Sequence, residues 1–141
     1  MRRINMFDDM QKGRRVLLQG KYEFLRATPV TEGLMAFGFA CGDGWLPILE
    51  DLFERIDEEV KRSALTDFKV VQVKEKFGGL RVYVEGGNDA IEELIAAASK
   101  KAEATCEDCG KPGRRRTTNK GKLHAWMKTQ CDACFTLKMQ K

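Results

Sequence analysis

Two cysteine pairs constrain this chain more than any other feature. Cys106-Glu-Asp-Cys109 is followed by twenty-one residues and then by Cys131-Asp-Ala-Cys134. A CxxC puts two sulfurs on one tight turn, where both reach the same metal. A second such turn, returned by a hairpin, completes a tetrahedron. The pattern predicts one four-thiolate Zn²⁺ site with Cys106, Cys109, Cys131 and Cys134 as ligands. Gly110 can take positive φ after the second cysteine, and Pro112-Gly113 turns the chain away.

The rest of the chain reads as a small α+β body. Trp45, Leu49, Leu52, Phe53, Ile56 and Val60 recur at helical spacing, with Asp43 as the expected N-cap and Pro47 in the first turn. Glu50, Asp51, Glu54, Asp57, Glu58 and Glu59 lie opposite and read as a solvated acidic face. Residues 68–76 and 80–85 alternate apolar and polar side chains around Phe77-Gly78-Gly79, which predicts a β-hairpin with Val71 and Val73 facing inward. Its outer face presents Gln72, Lys74, Lys76, Arg81 and Tyr83. A second helix runs from Asp89 to about Ala104, with Asn88 as its candidate N-cap and Ile91, Leu94, Ile95 and Ala98 inward, and leads almost directly into Cys106. Inside the metal module a turn is expected at Asn119-Lys120-Gly121. The fold expected is therefore helix, β-hairpin and helix, followed by a zinc-ribbon-like module of four cysteines. The boundaries expected are a basic N-terminal extension over 1–38, an α+β core over 39–104 and the metal module over 105–141. Within the extension, Ile4, Phe7 and Met10 are spaced to line a short helix.

Charge is unevenly spread. The formal net charge is +4, but residues 1–26 carry +4, 27–64 carry −5, 65–104 carry −1 and 105–141 carry +6. Arg114, Arg115, Arg116, Lys120, Lys122 and Lys128 concentrate in the last segment, with Trp126 among them. These residues suit phosphate contacts and base stacking, and Lys74, Lys76 and Arg81 would extend the track. Packing of Trp126 over the metal site or the second helix is the favoured alternative. His124, the one histidine, is not needed as a ligand where four cysteines are present.

No apolar run is long enough for a membrane span, and Asp8 and Asp9 interrupt the region where a signal peptide would be apolar. Five cysteines without an export signal imply a reducing, cytoplasmic setting, with Cys41 as a buried, inert thiol. A four-cysteine site is coordinatively closed, no HxE…PCxxC deaminase pattern occurs, and no small-molecule site is evident, so the chain reads as a non-enzyme.

With these residues located, the chain resembles a group of small, largely uncharacterised proteins of bacteriophages, prophages and some bacteria. The resemblance runs from about Phe39 to Phe135. It rests on Gly42-Asp43-Gly44-Trp45 with its helix, on Val71-Gln72-Val73-Lys74-Glu75-Lys76-Phe77-Gly78-Gly79-Leu80-Arg81-Val82-Tyr83, and on Cys106-Glu107-Asp108-Cys109-Gly110-Lys111-Pro112-Gly113 answered by Cys131-Asp132-Ala133-Cys134. It implies a zinc-containing accessory protein and no particular activity. Two partner classes remain open: DNA or RNA bound through the basic module, or a host or phage protein, as for an inhibitor or adaptor.

Overall fold

The structure, a computed structural model, describes residues 6–26, 35, 38–118 and 126–139; for 6–8, 118, 126, 138 and 139 it describes the backbone alone. Among these residues four helices and two antiparallel strand pairs make an α+β fold. Helix α1 (Met6–Lys21) comes first. A 3-10 turn at Asp43–Trp45 leads into α2 (Leu46–Arg62). Strands β1 (Lys69–Lys76) and β2 (Gly79–Glu85) form the hairpin, and α3 (Asp89–Ala102) follows. Strands β3 (Arg114–Thr118) and β4 (Trp126–Gln130) and helix α4 (Asp132–Met139) complete the C-terminal part. No described helix is long and apolar enough to cross a membrane.

The core sits where the α2 stripe meets the hairpin and α3. Trp45, Leu49, Leu52, Phe53 and Ile56 are buried, together with Val70, Val73, Leu80 and Val82 of the hairpin and Ile91, Ile95, Ala98 and Ala102 of α3. Val71 is not the inward residue that alternation predicts. A β-bulge between Val70 and Gln72 puts an extra residue into β1, so Val70 takes its place in the core while Val73 faces inward as expected. Ser99 Oγ donates to the Leu80 carbonyl at 3.0 Å and fixes α3 against β2.

The described residues of the segment expected to be a basic extension pack onto this body. Leu18, Tyr22, Phe24 and Leu25 join the core, and the Phe24 ring meets Phe68 edge-on at 5.2 Å. Two of its cations pair with carboxylates of the body. Arg14 Nε donates to Glu50 at 3.0 Å, while Arg15 pairs with Asp43 and donates to the Phe39 carbonyl at 2.7 Å. Asp43 consequently does not cap α2, whose N-cap position is Trp45, and Pro47 lies in the first turn as expected. Ile4 and the turn expected at 119–121 fall outside the described residues. Cys41 packs against the core, and burial pushes its thiol up to about 12.

Glu59 also departs from its expected place on a solvated face. It is buried and accepts from Ser63 Oγ at 2.8 Å, Arg62 Nη2 at 2.7 Å and Asn88 Nδ2 at 3.0 Å. Asn88 in turn caps α3, accepting from the Ile91 N–H at 3.0 Å. One carboxylate thus ties the end of α2 to the start of α3. The Ser63 hydroxyl, Arg62 and Asn88 hold it below the usual carboxylate range. Because its folded pKa lies below its unfolded one, its contribution is complete above the ordinary carboxylate range and is lost as pH falls through the folded value. Melting temperature should therefore drop as pH falls below the ordinary carboxylate range, and Glu59→Gln should flatten that limb. A wild-type profile matched by the variant at every pH would refute the assignment.

Candidate metal centre and the face beside it

The four expected cysteines converge. The Sγ atoms of Cys106, Cys109, Cys131 and Cys134 all lie within 4.8 Å of one another, and Cys109 and Cys131 are 3.6 Å apart. Thiolates about 2.3 Å from a common ion in a tetrahedron stand about 3.8 Å from each other, so the donor set fits a tetrahedral metal. Two turns make the cage. Gly110, at φ +83, closes the first by donating its N–H to the Cys106 carbonyl at 2.9 Å. In the second, the first turn of α4 aims the Cys134 N–H at the Cys131 sulfur, at 3.4 Å. That donor, foremost, brings the Cys131 thiol down to about 7. Burial, foremost, pushes Cys109 and Cys134 up, and for both the Cys131 and Cys106 thiols add to it. Four charged thiolates this close are mutually unfavourable without a cation among them, which is the chemistry of a metal cage.

The cage is docked onto the body through its own spacer residues. The Gly44 N–H donates to the Glu107 carbonyl at 2.7 Å, and the Gly42 N–H donates to Glu107 Oε2 at 2.7 Å. The Glu107 N–H donates to the Thr129 carbonyl of β4 at 2.9 Å. Burial raises the Glu107 carboxyl, with the Gly42 N–H opposing it. Trp45, fully buried, donates its indole N–H to the Thr105 carbonyl at 2.9 Å. A Cβ on Gly44 would lie 2.6 Å from both the Glu107 oxygen and the Gly110 nitrogen, and closer still to the Cys106 oxygen. Gly42-Asp43-Gly44-Trp45 is thus a seat on which the first cysteine turn rests, backbone against backbone.

A second seat lies at the hairpin tip. Thr129 Oγ1, buried, donates to the Gly78 carbonyl at 2.7 Å, and the Gly78 N–H donates to Glu75 Oε2 at 2.8 Å. Ala40 bridges to β1 beside this, its N–H donating to the Val73 carbonyl at 2.9 Å. In the sequence Glu107 and Asp108 are legible only as the spacers of a CxxC. The one local signal of this docking is a Gly-x-Gly whose two glycines must meet another backbone.

The predicted basic residues divide sharply. Arg116 has a side chain only 9 % exposed; it pairs with Asp132, donates to the Gln130 carbonyl at 3.1 Å and lies 4.6 Å over the Phe135 ring. Lys128 donates to Asp108 at 2.7 Å. Both brace the module internally. Arg114 is exposed. Lys120 and Lys122 lie outside the described residues, as does His124, and of Trp126 only the backbone, paired with Thr118 in the ladder, is described.

Arg115 points elsewhere. Gly79, Arg81 and Tyr83 share one face of β2, and Lys76, Lys74 and Gln72 stand directly opposite them on β1. Arg115 Nη2 reaches this face, 3.6 Å from where a Gly79 Cβ would stand, an ordinary packing distance. The module therefore adds its guanidinium to the outer face of the hairpin. Lys74 and Arg81 are opposed like charges, an arrangement that costs stability, and among the described residues neither has a carboxylate partner. Comparison with known proteins adds nothing to this geometry: no family model, curated protein or solved structure matches the chain.

Proposed function

We propose that this is a non-catalytic, phage-type accessory protein whose cysteine cage holds Zn²⁺ for architecture and whose hairpin face binds nucleic acid. A four-thiolate site suits Zn²⁺ and keeps no position for substrate or water. Metal analysis of the reduced protein should return about one zinc per chain. The observation that carries the binding reading is the gathering of Lys74, Lys76, Arg81 and Arg115 on one face, two of them opposed at a cost and without a carboxylate partner among the described residues. Such a concentration of cations attracts a polyanion and releases its counterions.

The test is a salt titration of binding to oligonucleotides. Changing Lys74, Arg81 and Arg115 together to Ala should reduce the magnitude of the slope of log K against log salt by about 2 to 3, at roughly 0.7–0.9 for each phosphate no longer neutralised. Arg116→Ala should lower stability and leave the slope alone, because that side chain is engaged inside the module. An unchanged slope in the triple variant would sink the assignment.

A protein partner is the second reading. It is favoured by Met10, Val16 and Leu17 of α1, which are 70 %, 71 % and 76 % exposed. Leu17→Glu should then abolish capture of that partner and leave oligonucleotide binding untouched. Failure to recover any stoichiometric partner would count against it.

A further inference from the structure

We propose that Phe77 is a stacking platform for an unpaired base, and that the ligand of the hairpin face is single-stranded nucleic acid. This rests on the nucleic-acid reading of that face and sharpens it.

Phe77 and Gly78 form the two-residue turn between Lys76 and Gly79, and both have positive φ, +54 and +81. That is the geometry of the tight hairpin turn that Asn-Gly adopts readily. A bulky side chain there is a genuine outlier and costs stability. The ring recovers little of that cost by burial, since Phe77 is 60 % exposed. A large apolar side chain in strained backbone at an exposed tip breaks both conformational and solvation preferences, and such violations concentrate at functional sites.

Its surroundings suit a nucleotide. Lys76 Nζ stands 5.6 Å from the ring centroid, and Arg115 Nε lies 3.4 Å from where a Gly78 side chain would begin. One cation thus stands at the ring, and another, from the module, stands beside the next residue of the turn. Tyr83, 43 % exposed, stands on the outer face of β2. The turn is also held in advance: Glu75 accepts from the Gly78 N–H, and Thr129 donates to the Gly78 carbonyl. A rigid ring loses little freedom on binding. Bases in a duplex are already stacked on one another, so an exposed aromatic with a cation beside it selects the unpaired strand.

Phe77→Gly separates this role from a structural one. Glycine adopts positive φ without strain, so the variant should melt a few degrees higher. Its affinity for an oligo-dT of about 15 nucleotides should fall roughly ten-fold or more at fixed salt, the usual worth of one stacked base. The salt slope should not change, and affinity for a duplex of equal length should stay the same. Phe77→Trp should restore binding and show fluorescence quenching when the oligonucleotide is added. A Phe77→Gly protein that binds oligo-dT as the wild type does would overturn the stacking role, as would one that melts lower, since the ring would then be packing. If the triple cation variant loses binding while Phe77→Gly keeps it, the stacking role alone fails. If the wild-type protein binds no oligonucleotide at about 50 mM salt, the reading beneath it fails as well.

Discussion

Replacing Gly44 by alanine should destabilise the protein by about 3 kcal/mol, at the upper end of what overpacking costs. The added methyl has no space. Its nearest neighbours are the Cys106 and Glu107 carbonyl oxygens and the Gly110 nitrogen, all of them backbone atoms that cannot rotate aside. To admit it, the first cysteine turn must lift away from the body. The Gly44 N–H bond to the Glu107 carbonyl would then be lost, and the Trp45 bond to the Thr105 carbonyl weakened. For a chain of this length the melting temperature should fall by about 10 °C. Gly13→Ala is the matched control. An added Cβ at that α1 position meets nothing within 4 Å, so the better helix propensity of alanine should stabilise by up to about 1 kcal/mol. Equal melting temperatures for the two variants would show that the cysteine turn does not rest on Gly44.

Stripping the metal should unfold the C-terminal part and spare the body. Metal held by a cage of this kind contributes on the order of 10 kcal/mol to the fold around it, far more than so short a segment recovers from its own packing. The two-stranded ladder of β3 and β4 is marginal alone, and α4 is only eight residues long. The continuous apolar core, by contrast, runs from Leu18 to Ala102 and includes none of the four cage cysteines. After a strong chelator is added, far-UV circular dichroism should lose only a minor part of its signal. Trp45 emission, read in a Trp126→Phe background, should shift to the red as water replaces the Thr105 carbonyl at its indole N–H. Cys106→Ser should reproduce both changes. A C-terminal part that keeps its hydrogen-exchange protection without metal would refute the architectural role of the cage.

How much of the fold is legible in the sequence depends on the distance over which each signal acts. The cysteine spacing, the α2 and α3 stripes, the Asn88 cap and the turn at Phe77-Gly78 are local patterns. Each is dictated by covalent geometry or by one helical or strand period, and each appears where expected. Where local alternation fails, at Val71, one bulged residue resets the period, which no alternating pattern can announce. The basic N-terminal segment resembles an extension because charges in a sequence are read singly. Only folding shows that Arg14 and Arg15 meet Glu50 and Asp43.

The candidate face divides in the same way. That the chain carries a four-thiolate cage and a basic C-terminal segment follows from residue types and spacing alone. Which of its cations reach solvent follows only from the ladder and the docking. Neighbours in the Arg114-Arg115-Arg116 run point to opposite faces of β3; Arg116 is taken inward by Asp132 and Phe135, and Arg115 reaches the outer face of a hairpin more than thirty residues away in sequence. Residues that meet across such distances need share no local signature. They are brought together by the two glycine seats, and a glycine shows why its missing side chain matters only once the backbone that occupies its place is seen.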